Sequence, residues 1–473
     1  MSETYLKPAR KAQFPSTWGG ELKAFLALGF PIGLGQLISF VVYTIDAAMI
    51  GRLGETQLAA SSLGLVIFFL LWMLGSGAVF AVTPLVSQAL GRNQNERRDV
   101  RMTVRMSFWL IAFMTPFALI FGLFVEPMAL ALGQDPVVSQ LGAQYTLTLI
   151  FGWPFALMIF ALRNFLSAFG RVWMPMVLIS LTTLFNVALN WILIYGNLGF
   201  PRLELVGAGI ASSLSYVLSF TLFAIYVTRD SKAAPFRVFR RLWRPDWSRM
   251  RDLITLGFPI TVMTLFEGML FNVAVLIVGA ISVSAQAAYQ VGLNVASLSF
   301  MVPFGLAMAG SVRVGLAVGA QNLPALKRSA IVTFVTCVGI VAILALGVAF
   351  GASVISRVYL DVNAPENAAV VGLIAGFLPI VAGFMVYDAA QVVANQLLRG
   401  LKDVNWPMIF TGFSYWVIGF PICYWLGLHT AYGANGVWYG LSIGLFFAFV
   451  LLCGRFIYLV WMRPERIIFS QNV

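Results

Sequence analysis

Twelve long apolar runs, separated by short stretches that carry most of the charge, dominate the sequence. Each run is long enough for a helix to cross the hydrocarbon core of a bilayer, which takes about 20 residues. A backbone in lipid must satisfy its own hydrogen bonds, so only helices and closed barrels span membranes, and these runs are far too long for barrel strands. We therefore predict helices at approximately 25–50, 57–88, 104–125, 138–168, 174–196, 206–227, 253–280, 286–317, 329–350, 368–398, 407–427 and 434–460.

The composition supports an all-α integral membrane protein. Hydrophobic residues make up 60% of the 473-residue chain and charged residues only 10%, whereas soluble domains carry about 25% charged residues. The net charge of +12 could indicate a nucleic-acid partner. However, the basic residues are spread over several loops and form no single patch, so we expect no nucleic-acid binding.

Residues for catalysis or a cofactor are scarce. The chain has one histidine, His429, and three cysteines without metal-ligand spacing. It also lacks the phosphate-binding motif G-x-x-x-x-G-K-[ST], so ATP hydrolysis within this chain cannot supply energy. We expect no enzymatic activity and no cofactor, and an ion gradient is the remaining energy source.

The basic loops predict the orientation. Positive charge is concentrated in loops 92–101, 228–252, 321–328 and 399–403 and in both tails. If the N-terminus is inside, all but three of the 30 Lys and Arg residues lie on the inner side or at inner helix ends. The positive-inside rule then predicts that both termini are cytosolic.

An internal repeat divides the chain into halves. LGFPI occurs at 28–32 and 256–260, an offset of 228, and the same offset aligns VSQALG at 86–91 with VGLAVG. Six helices per half give both halves the same orientation, which predicts two bundles related by an axis along the membrane normal. We expect a tail at 1–24, a lobe at 25–227, a linker at 228–252, a second lobe at 253–460 and a tail at 461–473.

Three acidic residues, Asp46, Glu267 and Asp388, lie well inside predicted spans. A charge near the middle of a membrane helix costs about 2.5–3.5 kcal/mol on insertion scales, and such residues usually mark an ion or substrate path. None of the three is duplicated at the aligned position of the other half. They are therefore candidates for binding protons, metal cations or organic cations; the alternative is a neutral, hydrogen-bonded structural carboxyl. We expect no basic side chain at their depth.

Other residues near these acids are candidates for a substrate cavity. Phe271 follows Glu267 by one turn and Phe384 precedes Asp388 by one turn, so their rings could contact a flat organic cation or simply pack. Several polar residues at membrane depth could line the same cavity or bond to a neighbouring helix. They are Asn186, Asn190, Asn272, Tyr289 and Gln290.

Several motifs together resemble the multidrug and toxin extrusion (MATE) family, specifically its NorM-like bacterial branch, over about residues 20–460. The best signals are YTIDAAMIGRLG with Asp46, LFEGMLFNV with Glu267 and YDAAQVVANQLLRGLKD with Asp388. The resemblance implies two six-helix lobes forming a V. It also implies export of cationic amphipathic drugs in exchange for Na⁺ or H⁺ influx. Glu267 and Asp388 would form the cation site of the second lobe, with Na⁺ favoured, and Asp46 would be a proton site or substrate contact in the first.

A cation-coupled drug exporter has definite expected partners, and two alternative functions remain open. We expect Na⁺ or H⁺, cationic organic small molecules and membrane lipid as partners of a monomer in the bacterial inner membrane. One alternative is a flippase for lipid-linked precursors, which would tend to place Arg or Lys in its cavity. The other is an ion channel, which would show no exchange stoichiometry.

Overall fold

The structure, a computed structural model, describes residues 13–93, 96–362 and 364–468. The remaining parts of the two predicted tails lie outside the described residues. Within the described ranges, twelve helices are long and apolar enough to cross a membrane, which confirms the predicted fold class. The helices of the first half are α1 (Trp18–Gly51), α2 (Glu55–Arg92), α3 (Arg97–Leu123), α4 (Pro136–Ala168), α5 (Trp173–Tyr195) and α6 (Glu204–Arg229). Those of the second half are α7 (Trp247–Ile281), α8 (Val283–Gly319), α9 (Leu323–Phe350), α10 (Ala368–Gly400), α11 (Asn405–Leu428) and α12 (Gly433–Met462).

Side-chain caps fix where some of these helices begin. Asp135 precedes α4 and accepts hydrogen bonds from the backbone N–H groups of Val137 and Val138, at 2.8 and 3.2 Å. Ser282 does the same for α8 by accepting from the backbone N–H of Ala285 at 3.0 Å. Such caps satisfy backbone donors that a first helical turn leaves unpaired. Short polar stretches between apolar runs thus set the helix boundaries.

The chain forms two compact units. Unit 1 comprises Leu34–Thr261, and unit 2 comprises the described parts of Ala12–Gly33 and Val262–Val473. The sequence predicts that the boundary between the two lobes lies in the linker 228–252. In the structure, each unit also includes the first half of one long helix that belongs to the other sequence repeat. The beginning of α1 belongs to unit 2, and the beginning of α7 belongs to unit 1.

Facing glycines permit this arrangement. In unit 1, a Cβ added to Gly77 of α2 would overlap the carbonyl oxygen of Gly257 in α7. In unit 2, a Cβ added to Gly305 of α8 would overlap the Cα of Gly33 in α1. Gly77 and Gly305 are 228 residues apart, which is the offset of the sequence repeat. Their partners, Gly257 and Gly33, are 224 residues apart, so the repeat reappears in each unit as a close glycine contact shifted by about one helical turn, in the manner of small-residue packing between membrane helices.

A buried ion pair also holds the first half of α1 in unit 2. Glu21 is fully buried and pairs with Arg313 of α8, whose Nη2 lies 2.6 Å from Glu21 Oε2. Ser329 donates a further hydrogen bond to Glu21 Oε1 at 2.6 Å. The paired carboxylate of Glu21 explains how Arg313 can lie inside the unit, since a buried charge needs a partner.

The second part of helix α10 is enclosed within unit 2. Every residue from Asp388 to Gly400 is buried. Upstream, Phe377, Val381 and Phe384 join a hydrophobic core to which every helix from α7 to α12 contributes. This helix is therefore a rigid support for the functional groups that it carries.

The close contact at Gly77 can be tested by a substitution that adds one methyl group. We expect Gly77→Ala to destabilise unit 1 by about 1–3 kcal/mol, since the added carbon has no room without a backbone shift. The matched control is Gly339→Ala in α9, where a Cβ meets no atom within 4 Å. The measurement is the melting temperature of the purified protein in detergent. Equal melting temperatures for both variants would contradict the close contact.

Candidate functional site

Two acids of unit 2 share one amide group. Gln391 of α10 directs its Nε2 to Glu267 Oε1 of α7 at 3.2 Å and to Asp388 Oδ1 of α10 at 3.3 Å. Asp388 is 7% exposed and Gln391 1%, while Glu267 is half-buried. The two predicted acids therefore belong to one cluster. Gln391 was missed by sequence reasoning, although its position one turn after Asp388 was a usable signal.

A distorted segment of α11 brings two hydroxyl groups into the core of the same unit. Residues Phe413–Gly419 form a π-helical stretch, a distortion that is frequent at functional sites. The phenol of Tyr415, 1% exposed, lies within electrostatic range of both Glu267 and Asp388. Neither Tyr415 Oη nor Ser414 Oγ has a hydrogen-bond partner among the described residues. No pattern in the sequence connected Tyr415 with acids on two other helices.

One basic residue lies nearer to this cluster than we expected. The charge of Arg399, at the end of α10, acts on Glu267. We expected no basic side chain at the depth of the acids; Arg399 lies at a helix end, yet its charge still acts on Glu267. Helical spacing explains the difference, because Arg399 is eleven residues, or about three turns, beyond Asp388 and so lies on the same face of α10.

The aromatic candidates of unit 2 pack against one another. The rings of Phe271 and Phe384 meet edge to face with 5.9 Å between centroids, and Phe384 also contacts Trp438 at 5.3 Å. Tyr289 lies against Trp438 at 4.7 Å and is fully buried. Of these rings, only Phe271 is partly exposed. Packing therefore accounts for the placement of Phe384 and Tyr289.

Two polar candidates of unit 2 are not part of the acid cluster. Asn272 is exposed and donates to the backbone carbonyl of Gly268, one turn earlier in α7, at 2.7 Å. Gln290 is likewise exposed. The described contacts link neither residue to Glu267 or Asp388.

The acid of unit 1 begins a chain of hydrogen bonds across three helices. Asn190 of α5 donates to Asp46 Oδ1 of α1 at 2.6 Å, and the same Nδ2 lies 3.3 Å from Asn186 Oδ1. Asn186 in turn donates to Ser212 of α6 at 3.5 Å. The two asparagines therefore bond between helices, one of the two roles that the sequence left open.

Three tyrosines lie within electrostatic range of Asp46. Its charge acts on the phenols of Tyr43, Tyr145 and Tyr216. Tyr145 is 2% exposed, and Asn190 Oδ1 is buried without a hydrogen-bond partner among the described residues. Only Tyr43, three residues before Asp46, could have been assigned to this site from helical spacing.

The chemistry of both clusters suits cations. Each presents carboxylate, amide and phenol oxygens, which are ligands for protons and hard cations. In the described part of the chain, no three His, Cys, Asp or Glu side chains are grouped to hold a metal ion. A metal cation in unit 2 would therefore depend on two carboxylates and on neutral oxygens.

Known proteins share both the sequence pattern and the fold. The model of the MatE family matches residues 31–192 and 259–425, one segment in each half. A probable multidrug resistance protein NorM from Mesorhizobium japonicum is 37% identical over 451 residues, which cover 95% of each chain. A protein of the same name from Rhizobium meliloti is 36% identical, covering 94% of this chain and 95% of its own.

Solved structures extend the likeness to the fold. The eukaryotic MATE transporter AtDTX14 superposes with a TM-score of 0.85 at 19% identity, covering 96% of this chain and 99% of its own. A MOP superfamily transporter from Pyrococcus furiosus, described by the reverse polarity of its binding pocket, gives a TM-score of 0.84 at 20% identity, with coverage of 95% and 99%. Identity this low supports the fold alone, whereas the family match and the NorM relatives cover most of the sequence. This multi-pass membrane protein belongs to the MatE family.

Proposed function

We propose that this protein is a secondary active multidrug efflux antiporter, which exports cationic amphipathic compounds in exchange for Na⁺ or H⁺. The observation that carries the proposal is the Glu267–Gln391–Asp388 cluster, two carboxylates joined by one amide on enclosed helices. The relatives named as multidrug resistance proteins support the substrate class.

The cluster can couple ion binding to transport by competition. Two neighbouring carboxylates in a low-dielectric site repel each other, and one bound cation relieves that repulsion. A coupling ion and a cationic drug therefore compete for the same negative charge. Exchange follows if the inward-facing and outward-facing states differ in their affinity for the two cations, because a ligand shifts an equilibrium only by its differential affinity.

We assign Na⁺ to the cluster of unit 2 in preference to H⁺. Glu267 and Asp388 supply carboxylate oxygens, and Tyr415, within electrostatic range of both acids, supplies a hydroxyl oxygen without another partner among the described residues. Hard cations favour such an oxygen-rich set. Asp46 adds a separate negative charge in unit 1, which takes a proton or contacts the cationic substrate.

A flippase for lipid-linked precursors is the second candidate, and one observation favours it. Arg163 of α4 is a half-buried base in unit 1, and flippases need bases for anionic pyrophosphates. However, its Nη2 donates to Gln36 Oε1 at 2.9 Å, and its guanidinium lies 5.1 Å from the ring centre of Phe160. Arg163 is thus already engaged, while the acids retain free acceptor capacity.

The cellular setting is part of the proposal. The basic loops support cytosolic termini in the bacterial inner membrane. We further propose that the transporting unit is a monomer, since each six-helix half carries at least one acid of its own within the membrane spans.

The decisive test is efflux from proteoliposomes with Na⁺ and pH gradients imposed separately. We expect accelerated ethidium transport with the Na⁺ gradient, together with Na⁺ movement in the opposite direction. Transport driven only by the pH gradient would reassign the coupling ion to H⁺. Ion flux without exchange would indicate a channel, and transport of a lipid-linked pyrophosphate in place of ethidium would indicate a flippase.

The hydrogen bond of Asn190 gives a test of unit 1. Asn190→Ala removes a donor to a carboxylate, a loss worth about 1.5–3 kcal/mol. We expect about tenfold slower ethidium efflux. If Asn190 acts through Asp46, the double variant Asp46→Asn/Asn190→Ala is no slower than Asp46→Asn alone. Additive losses in the double variant would show that Asn190 acts independently.

A further inference from the structure

The loop between α6 and α7, residues 230–246, is a folded element attached to α3. Arg105 of α3 donates to the carbonyl oxygens of Arg240 and Arg244 at 2.6 and 3.2 Å. One turn later, Trp109 Nε1 donates to the carbonyl of Leu242 at 2.6 Å. Three alternate carbonyl groups of the loop are therefore held against one face of a helix.

This attachment directs the basic side chains of the loop outward. Phe236 and Val238 are buried, and Phe239 lies 6.0 Å from Phe108 of α3, measured between ring centres. The arginines between and after these apolar anchors are exposed: Arg237, Arg240, Arg241 and Arg244.

Positive charge accumulates there and exceeds the negative charge close by. Arg105 is 3% exposed, and the charges of Arg101, Arg241 and Arg244 all act on it, with only Asp246 acting in the opposite sense. The buried Nε atoms of Arg101 and Arg105 have no hydrogen-bond partner among the described residues. Such an excess of positive charge favours the binding of an anion at this surface.

The neighbouring acids are already engaged. Asp99 pairs with Arg249 at 2.6 Å, and Asp230 lies 3.2 Å from Arg171. Burial would raise the pKa of Asp230. Two backbone N–H groups, the hydroxyl of Tyr226 and the charge of Arg171 outweigh it and hold the pKa below its ordinary value. Asp230 therefore stays ionised with its own partners and does not neutralise the loop.

Apolar surface lies beside the charge. Trp243 is 72% exposed and Trp247 is 69% exposed. Tryptophan concentrates where membrane meets water. A cavity of about 310 Å³ opens between the end of α6 and the loop, with Arg237 and Arg240 in its lining. A phospholipid combines a charged phosphate with an apolar tail, whereas a free anion such as inorganic phosphate has no apolar part.

We propose that the 230–246 loop of unit 1 binds the phosphate headgroup of an anionic phospholipid. The four exposed arginines supply charge to the headgroup, and Trp243 and Trp247 lie in the interfacial layer beside it. This site is separate from both acidic clusters and does not depend on the transport activity.

The test is a lipid titration of the purified full-length protein followed by native mass spectrometry. The probes are dioctanoyl phosphatidylglycerol, the phosphatidylcholine of the same chain length, and inorganic phosphate. An arginine near an anionic lipid contributes about fivefold in affinity. We expect Arg240→Gln/Arg241→Gln/Arg244→Gln to weaken phosphatidylglycerol binding roughly 100-fold, because three such contributions multiply.

A matched control variant removes the same number of positive charges outside the 230–246 loop. Arg97→Gln/Arg463→Gln/Arg466→Gln eliminates three exposed arginines outside the loop and is expected to bind phosphatidylglycerol as the unmodified protein does. Melting temperatures check that both variants fold. Equal binding of the two phospholipids, equal loss in both triple variants, or binding of inorganic phosphate as tight as that of phosphatidylglycerol would each overturn the proposal.

Discussion

Glu267→Gln and Asp388→Asn are each expected to lower ethidium efflux by about 30–100-fold. Each substitution keeps the size and polarity of the side chain but removes one negative charge from the cluster around Gln391. A hydrogen bond or contact to a charged group is worth about 1.5–3 kcal/mol, and 1.4 kcal/mol is a factor of ten. Efflux should be measured in a strain that lacks its own efflux pumps, with and without a Na⁺ gradient.

The control for this result is Glu126→Gln. Glu126 is an exposed acid in the short helix Val125–Ala131, so its removal changes the net charge equally without touching either cluster. Efflux by this variant should remain normal. Unchanged efflux in both cluster variants, with or without Na⁺, would contradict the coupling mechanism.

Gln391→Leu is expected to slow efflux about tenfold and to raise the Na⁺ concentration that gives half-maximal rate. Leucine has a similar volume but cannot donate to Glu267 and Asp388, so the charged hydrogen bonds that hold the carboxylates together are lost. The two acids then repel each other without a shared donor, and the geometry that receives one cation is no longer fixed in advance.

Gln396→Leu separates this effect from a general effect of removing a buried amide. Gln396 lies on the same helix and is 4% exposed, and its Nε2 has no hydrogen-bond partner among the described residues. Its replacement should leave the Na⁺ dependence unchanged and stability equal or higher, because an unsatisfied polar group is removed. A similar change of Na⁺ dependence in both variants would show that Gln391 has no special role.

Helix number and the repeat were predictable because they depend on local properties of the chain. A run such as Ala24–Gly51 must span as a helix, whatever surrounds it, since lipid offers no alternative for the backbone. The three acids were recognisable for the same reason: a charge in such a run is costly and calls for an explanation. The 228-residue offset that aligns LGFPI also places Gly77 and Gly305 at equivalent positions of the two halves.

The partners of those acids depended on which faces of distant helices meet. Gln391 carries a spacing signal. Tyr415, by contrast, lies within electrostatic range of both acids in a π-helical segment that no local sequence pattern predicted. Arg399 likewise reaches the charge of Glu267 from the end of α10.

The sequence by itself determined that the chain crosses a membrane in twelve helices, that it consists of two related halves, and that three acids lie within them. Hydrophobic length and the cost of a buried charge act residue by residue, so they can be read along the chain. Only the tertiary structure decided that Glu267 and Asp388 share Gln391, that Asp46 is bound by Asn190, and that the beginnings of α1 and α7 belong to different units from their ends. Those contacts depend on helix packing, which joins residues far apart in sequence through shape complementarity that no single segment contains.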